Sequence, residues 1–141
     1  MRALRLLVVF FLSPTLALCA PPQSREPGCA FADEPFMTFL VLASSATEYY
    51  AEHHTWPSTA QQLQAQLLQS ARSGPPLAAT PTNKDVGQFF TRFSRIDLQP
   101  RGRDLILAAQ YRAEGRRYSR RLLLHPGRNS DEMLQASSEV R

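Results

Sequence analysis

The hydrophobic pattern of this chain changes its period once, and that change limits the folds open to it. Before residue 74, apolar residues recur at three- and four-residue steps, as in amphipathic helices. After residue 86, apolar and polar residues alternate, as in half-buried strands. Residues 74–86 contain three prolines among small and polar residues and predict a loop. The sequence therefore predicts an α+β fold.

The chain is long enough for one domain. It has 141 residues, of which 43% are hydrophobic, and this is ordinary composition for a single packed core. Eleven prolines and six glycines place a sizeable share of the chain in turns. These numbers exclude a large multidomain enzyme.

The first 19 residues have the layout of a secretory signal. Arg2 and Arg5 precede an apolar run over residues 6–12, and a cleavage region ends at Cys19. The run is shorter than the roughly 20 apolar residues that a membrane-spanning helix needs. We therefore expect residues 1–19 to be a signal peptide, and the protein to be exported.

Two fates of Cys19 remain open. The stretch Leu16-Ala17-Leu18-Cys19 resembles the bacterial lipobox, in which the cysteine is lipidated, although that motif has a small residue where Leu18 stands. The alternative is ordinary cleavage after Cys19. Lipidation is the preferred interpretation, and it predicts a periplasmic lipoprotein that is membrane-anchored by lipid. Either fate leaves Cys29 without an intrachain disulfide partner, because the chain has two cysteines.

The remaining sequence divides into three parts. Residues 20–32 are proline-rich and lack periodicity, which predicts a flexible tether. Residues 33–125 are expected to form a single α+β domain. Residues 126–141 are polar and predict a loose C-terminal tail, with a short helical turn at residues 131–135.

Two helices are predicted at the start of the domain. The first begins near Asp33-Glu34-Pro35, is apolar on nearly every side over residues 36–43, and ends before Trp56-Pro57. The second begins at the capping-box spacing Ser58-Thr59-Ala60-Gln61 and ends near residue 74. Its five glutamines are expected to form an outer, solvated face.

Three antiparallel strands are predicted to follow, over residues 89–98, 105–113 and 118–124. The first strand changes phase, which predicts a bulge near Ser94-Arg95. The sequence thus predicts two N-terminal helices packed on a three-stranded antiparallel β-meander.

Charge is segregated along the chain. Residues 92–121 hold nine arginines and three acids, and planar guanidinium groups suit contacts to carboxylate or phosphate. An anionic surface or an envelope protein is therefore a candidate partner. The alternative is a solvated strand face whose arginines protect a sheet edge from pairing. The candidate partner-binding residues around the second hairpin are Arg112, Arg116, Arg117, Arg120 and Arg121, with Trp56 as a separate corner.

Motifs for catalysis and cofactors are missing from the sequence. None of the serines lies in a Gly-x-Ser-x-Gly turn, and there is no glycine-rich phosphate loop. Adjacent residues His53 and His54 point about 100° apart on a helix and do not easily share a metal ion. We predict no enzyme activity, no cofactor and no metal site. Nucleic acid is not an expected partner, since the chain is predicted to be exported.

Residues 46–58, ATEYYAEHHTWPS, resemble the end of the long N-terminal helix of type IV pilins and pseudopilins. There a Tyr-Ala-Glu stretch leads into an aromatic-Pro-Ser step, and a meander follows. The resemblance implies a pilin-like head behind an export or lipid signal. No glycine-phenylalanine cleavage site and no long apolar assembly helix follow the leader, which implies a head that does not polymerise in the usual way. The resemblance transfers no functional residue.

The sequence therefore predicts a non-enzymatic, exported cell-envelope protein. Its expected role is that of a binding or assembly subunit, pilin-like or secretion-associated, that contacts an anionic or protein partner through the arginine-rich hairpin. The alternative is a periplasmic inhibitor or immunity-type protein that blocks an enzyme by charge complementarity with the same arginines.

Overall fold

The computed structural model describes residues 34–73 and 81–140, and within them the predicted α+β fold is confirmed. The leader, with Cys19 and Cys29, lies outside the described residues. The elements in chain order are α1 (Pro35–His53), α2 (Ala60–Ser73), α3 (Asn83–Thr91), β1 (Phe93–Arg101), β2 (Asp104–Ala113), β3 (Arg116–Leu124), α4 (Ser130–Gln135) and β4 (Ser138–Glu139).

The prediction of two helices and three strands was wrong in number, because the described residues form four helices and four strands. Helix α3 takes up residues 89–91, which were predicted to begin the first strand. Its start is a capping box in which the Thr82 hydroxyl accepts from the Asp85 backbone N–H and the Asp85 carboxylate accepts from the Thr82 backbone N–H. The strand begins only at Phe93.

The strands form one antiparallel sheet in the order β1-β2-β3-β4. The predicted bulge is confirmed, because the β1–β2 register shifts between Phe93 and Arg95. Glu114 and Gly115 connect β2 to β3 with φ angles of 49° and 71°. Positive φ at both central residues is the geometry of a type I′ turn, whose twist matches that of the strands.

Helix α1 packs on one face of the sheet and provides a large part of the core. It begins where the Glu34 carboxylate accepts from the backbone N–H groups of Phe36 and Met37, and Pro35 occupies its first turn, as predicted. Alternate residues of β2 face α1, as the two-residue period predicts. The buried core is Phe39, Leu42, Ala43, Ala46, Leu63, Leu105, Leu107, Ala109, Tyr111, Ala113 and Leu124.

Helix α2 packs against α1, and the prediction of a solvated glutamine face holds for Gln61 and Gln69, which are exposed, and was wrong for Gln66. The Gln66 side chain is buried, and its amide donates to Glu52 Oε1 at 3.1 Å. Gln62 donates to the Tyr49 hydroxyl at 2.9 Å, and Gln69 also donates to Glu52. Glu52 is exposed, and the amides of Gln66 and Gln69 donate to its two carboxylate oxygens from α2.

Residues 126–140, predicted as a loose tail with a short helical turn at residues 131–135, contain α4, which confirms that turn, and the unpredicted strand β4. Met133 of α4 is fully buried, and Ser130 hydrogen-bonds Thr47 of α1 at 2.6 Å. The Val140 N–H donates to the Arg121 carbonyl, which extends β4 along β3. Helix α4 packs against α1 and buries Met133, a contact that polar composition does not reveal.

Candidate anion-binding site

The domain has two distinct ends, because α1 runs antiparallel to β2. At one end the Tyr111 hydroxyl donates to the Pro35 carbonyl at 2.7 Å. At the other the Trp56 indole N–H donates to the Arg103 carbonyl at 2.8 Å. We call the end with the β2–β3 turn and the start of α1 the hairpin end. The end with Trp56 and the β1–β2 turn is the tryptophan corner.

The five predicted arginines do not form one cluster. Successive side chains of a strand point to opposite faces of the sheet. Arg112, Arg117 and Arg121 therefore lie on the face away from α1, which we call the outer face. Arg116 and Arg120 lie on the same side as α1.

Arg112 and Arg117 are direct partners across the β2–β3 ladder. Both are exposed, and no salt bridge among the described residues includes either of them. Like charges directly opposite each other destabilise a strand pair. The hairpin thus carries two unpaired guanidinium groups in an arrangement that favours the approach of an anion.

The two guanidinium groups border a cleft of about 500 Å³. Its other walls include a third arginine, Arg92, and three polar side chains that can donate to a ligand, those of Gln110, Tyr118 and Ser119. The hydroxyls of Thr91, Ser94 and Tyr111 already donate to backbone carbonyls. Arg92 also lies over the Phe89 ring at 5.6 Å. No acidic residue of the described chain lines this cleft. The lining residues are Thr91, Arg92, Ser94, Gln110, Tyr111, Arg112, Arg117, Tyr118 and Ser119.

Arg120 is separate from this cleft. It forms a salt bridge with Glu139 of β4 at 2.9 Å, and its guanidinium lies 5.8 Å from the centre of the Phe36 ring. It also lies near the Tyr111 hydroxyl, where burial is the main cause of a raised tyrosine pKa and Arg120 partly opposes it. Of the predicted residues, Arg120 therefore has the clearest structural role.

Trp56 lies far from the arginines of the hairpin. Arg103, which bonds its indole, and Arg112 are separated by nearly the whole length of β2, or about 30 Å at 3.3 Å per residue. The ring of Trp56 packs against Tyr50 with centroids 4.3 Å apart. A shallow depression of about 400 Å³ borders it. Trp56 and the arginines therefore belong to different surfaces.

The described residues offer little for metal chemistry. Within residues 34–73 and 81–140, no group of three or more His, Cys, Asp or Glu side chains is placed to hold a metal ion. His53 packs on Tyr49, and His54 ends α1 in the left-handed conformation with φ of 56°. What the cleft can do chemically is bind carboxylate or phosphate oxygens with guanidinium and hydroxyl donors.

Sequence reasoning missed part of the cleft. Arg92, Ser94, Gln110 and Ser119 line it without having been selected as site residues. The one sequence signal that pointed to the cleft is the predicted bulge. The register shift between Phe93 and Arg95 places Ser94 beside the Gln110 carbonyl, to which the Ser94 hydroxyl donates at 3.3 Å. Bulges commonly redirect a side chain at a sheet edge.

Comparisons with known proteins give no relative. Neither protein-family models, nor curated proteins, nor solved structures match this chain. The resemblance to pilin heads therefore stays a prediction. In the part of the chain that the structure describes, no helix combines the length and apolar character needed to cross a membrane.

Proposed function

We propose that this protein is a non-enzymatic, exported cell-envelope protein that binds an anionic partner through the outer face of its hairpin end. The observation that carries the proposal is the cross-strand pair Arg112–Arg117 beside a cleft whose described lining has no acidic residue. Export rests on the predicted signal peptide and membrane attachment on Cys19, both inferred from the sequence.

The arrangement supports binding more than edge protection. Arginines that only protect a sheet edge from pairing need not face each other. In this hairpin Arg112 and Arg117 do face each other, and their mutual repulsion destabilises the strand pair. An anion between them replaces this repulsion with two charge-assisted contacts. The hydroxyl of Ser119 supplies an additional donor at the same place. The close approach of Arg112 and Arg117 therefore destabilises the unbound hairpin and favours the binding of an anion.

The partner-binding role is tested by charge reversal at the hairpin end. The Arg112→Glu/Arg117→Glu variant should lose partner capture by about tenfold or more in a crosslinking pull-down from envelope fractions. The variant replaces one like-charge pair by another, so its melting temperature should stay close to that of the unmodified protein.

The matched control is Arg101→Glu/Arg103→Glu, which changes the net charge equally at the exposed β1–β2 turn. It should retain capture. Equal capture by all three proteins would contradict the proposal, and loss in the control variant alone would move the site to the tryptophan corner. Identification of the captured partner as an enzyme, inhibited on binding, would favour the inhibitor or immunity-type alternative over an assembly subunit.

A further inference from the structure

We propose that the anionic partner of the hairpin end is a phospholipid bilayer with acidic headgroups, which this end contacts with arginines and with two exposed apolar side chains. The inference rests on the proposed function and names the partner of the same surface. It is carried by an apolar patch on α1 at the same end of the domain as the unpaired arginines of the outer face.

The apolar patch lies at the start of α1. Phe36 is 52% exposed and Met37 is 41% exposed, although residues 36–43 were predicted to form a buried helix. A groove of about 290 Å³ continues from Phe36 between α1 and β3, with walls that include Leu40, Leu122 and Leu134. Large exposed apolar side chains beside such a groove are a feature of binding surfaces.

Charge and apolar surface meet at this end. Arg120 lies over the Phe36 ring, and the Tyr111 hydroxyl joins the start of α1 to the strand that carries Arg112. Proteins that lie at a bilayer surface combine apolar side chains, which enter the interface, with arginines, which contact lipid phosphates. The hairpin end supplies both kinds of group, with exposed arginines on the outer face and exposed apolar side chains on the α1 side of the sheet.

Acidic groups at this end are fewer than the basic ones. Among the described residues, Arg112, Arg116 and Arg117 flank the β2–β3 turn, which itself carries one acid, Glu114. Glu34 accepts two backbone N–H groups of α1, and Glu139 pairs with Arg120. The balance therefore remains positive, as attraction to acidic lipid requires.

The test measures how deeply each end enters the bilayer. Phe36→Trp adds a tryptophan at the hairpin end, while the single native tryptophan, Trp56, reports on the far corner. The processed protein is mixed with vesicles that contain brominated lipid, made either of phosphatidylcholine alone or with added phosphatidylglycerol. With phosphatidylglycerol present, we expect the brominated lipid to quench the fluorescence of the tryptophan introduced by Phe36→Trp. The fluorescence of Trp56 in the unmodified protein should not be quenched.

Charge variants separate this contact from a lipid anchor. Adding Arg112→Glu/Arg117→Glu to Phe36→Trp should weaken the phosphatidylglycerol-dependent quenching by well over about 30-fold in lipid concentration, because loss of each arginine alone costs about fivefold and each glutamate adds repulsion. Arg101→Glu/Arg103→Glu should leave the quenching unchanged. A further comparison comes from Arg112→Gln/Arg117→Gln, which removes the charges without reversing them and should give an intermediate loss.

Several outcomes would overturn the inference. These are no quenching of the tryptophan introduced by Phe36→Trp, equal quenching of Trp56, or quenching that is the same without phosphatidylglycerol. Burial of Phe36 by a second copy, seen as self-association that Phe36→Trp disrupts, would also overturn it. If an acidic protein is captured through Arg112 and Arg117 and vesicles are not bound, the proposed function stands and the lipid inference fails. If neither partner depends on these arginines, both fail.

Discussion

The two ends of the domain are built from the same helix and the same strand, yet they differ in whether their polar side chains have partners within the domain. At the tryptophan corner the indole N–H has a carbonyl partner, the ring packs on Tyr50, and His125 lies 3.0 Å from Asp104. At the hairpin end Arg112 and Arg117 oppose each other, and Phe36 is exposed. The corner makes its contacts within the domain, whereas the hairpin end exposes Arg112, Arg117 and Phe36 to solvent.

This difference shows why residue type alone is a poor guide to a site. Trp56 is the kind of side chain that often anchors an interface. Here its polar atom and its ring are occupied by Arg103 and Tyr50. The arginines gain importance because their neighbours leave them unpaired.

The largest expected effect on stability separates the buried and exposed phenylalanines at the hairpin end. Phe39 is 4% exposed and stacks on Tyr111 with centroids 6.0 Å apart. Phe39→Ala should therefore lower the free energy of unfolding by about 3–5 kcal/mol. Phe36→Ala removes an exposed ring and should change it by no more than about 0.5 kcal/mol. Urea unfolding followed by circular dichroism measures both, and equal losses would mean that Phe36 is part of the core.

A smaller effect, of opposite sign, sharpens the contrast between binding and stability. Arg112→Glu converts the pair with Arg117 from like to opposite charge, and should raise the free energy of unfolding by about 0.2–1 kcal/mol. The same change should weaken partner capture. Thermal melting at low and high salt is the measurement, since added salt should reduce the gain. A variant that is both less stable and fully able to bind would contradict this account of the hairpin end.

The smallest effect concerns the start of α1. The backbone N–H groups of Phe36 and Met37 are the main cause that lowers the pKa of Glu34 below its usual 4.5. A carboxylate with a lowered pKa stabilises the fold above its unfolded-state value, and this contribution is lost as the pH falls through the folded-state value. The unmodified protein should therefore melt higher than Glu34→Gln at neutral pH, with the difference disappearing in acid. A difference that stays constant from neutral pH to about pH 3 would exclude ionic capping.

The parts predicted correctly from sequence depend on local rules. The start of α1 at Glu34-Pro35 and its end before Trp56 follow from capping and proline geometry. The buried face of β2 follows from the two-residue period, and the bulge from the phase change in β1. Each of these features is set by neighbours along the chain.

The parts that sequence reasoning missed depend on contacts between distant segments. Gln66 is buried because α1 places Glu52 opposite it. Met133 draws residues 126–140 onto the domain because a space in the core receives it. Phe89 lies on α3 although its neighbours have strand character, since the capping box at Thr82 starts a helix there. In the first two cases the packing partner, rather than the local pattern, decides the outcome, and in the third a cap seven residues away does.

The sequence alone determined that this chain has an α+β domain with a basic, arginine-rich hairpin, because hydrophobic period and charge are properties of the residues themselves. Only the tertiary structure decided which of these arginines form a salt bridge and which do not. Strand alternation divides the five between two faces, β4 brings Glu139 to Arg120, and the antiparallel path of α1 separates Trp56 from the hairpin. Pairing is a matter of distance in space, and spacing along the chain does not fix it.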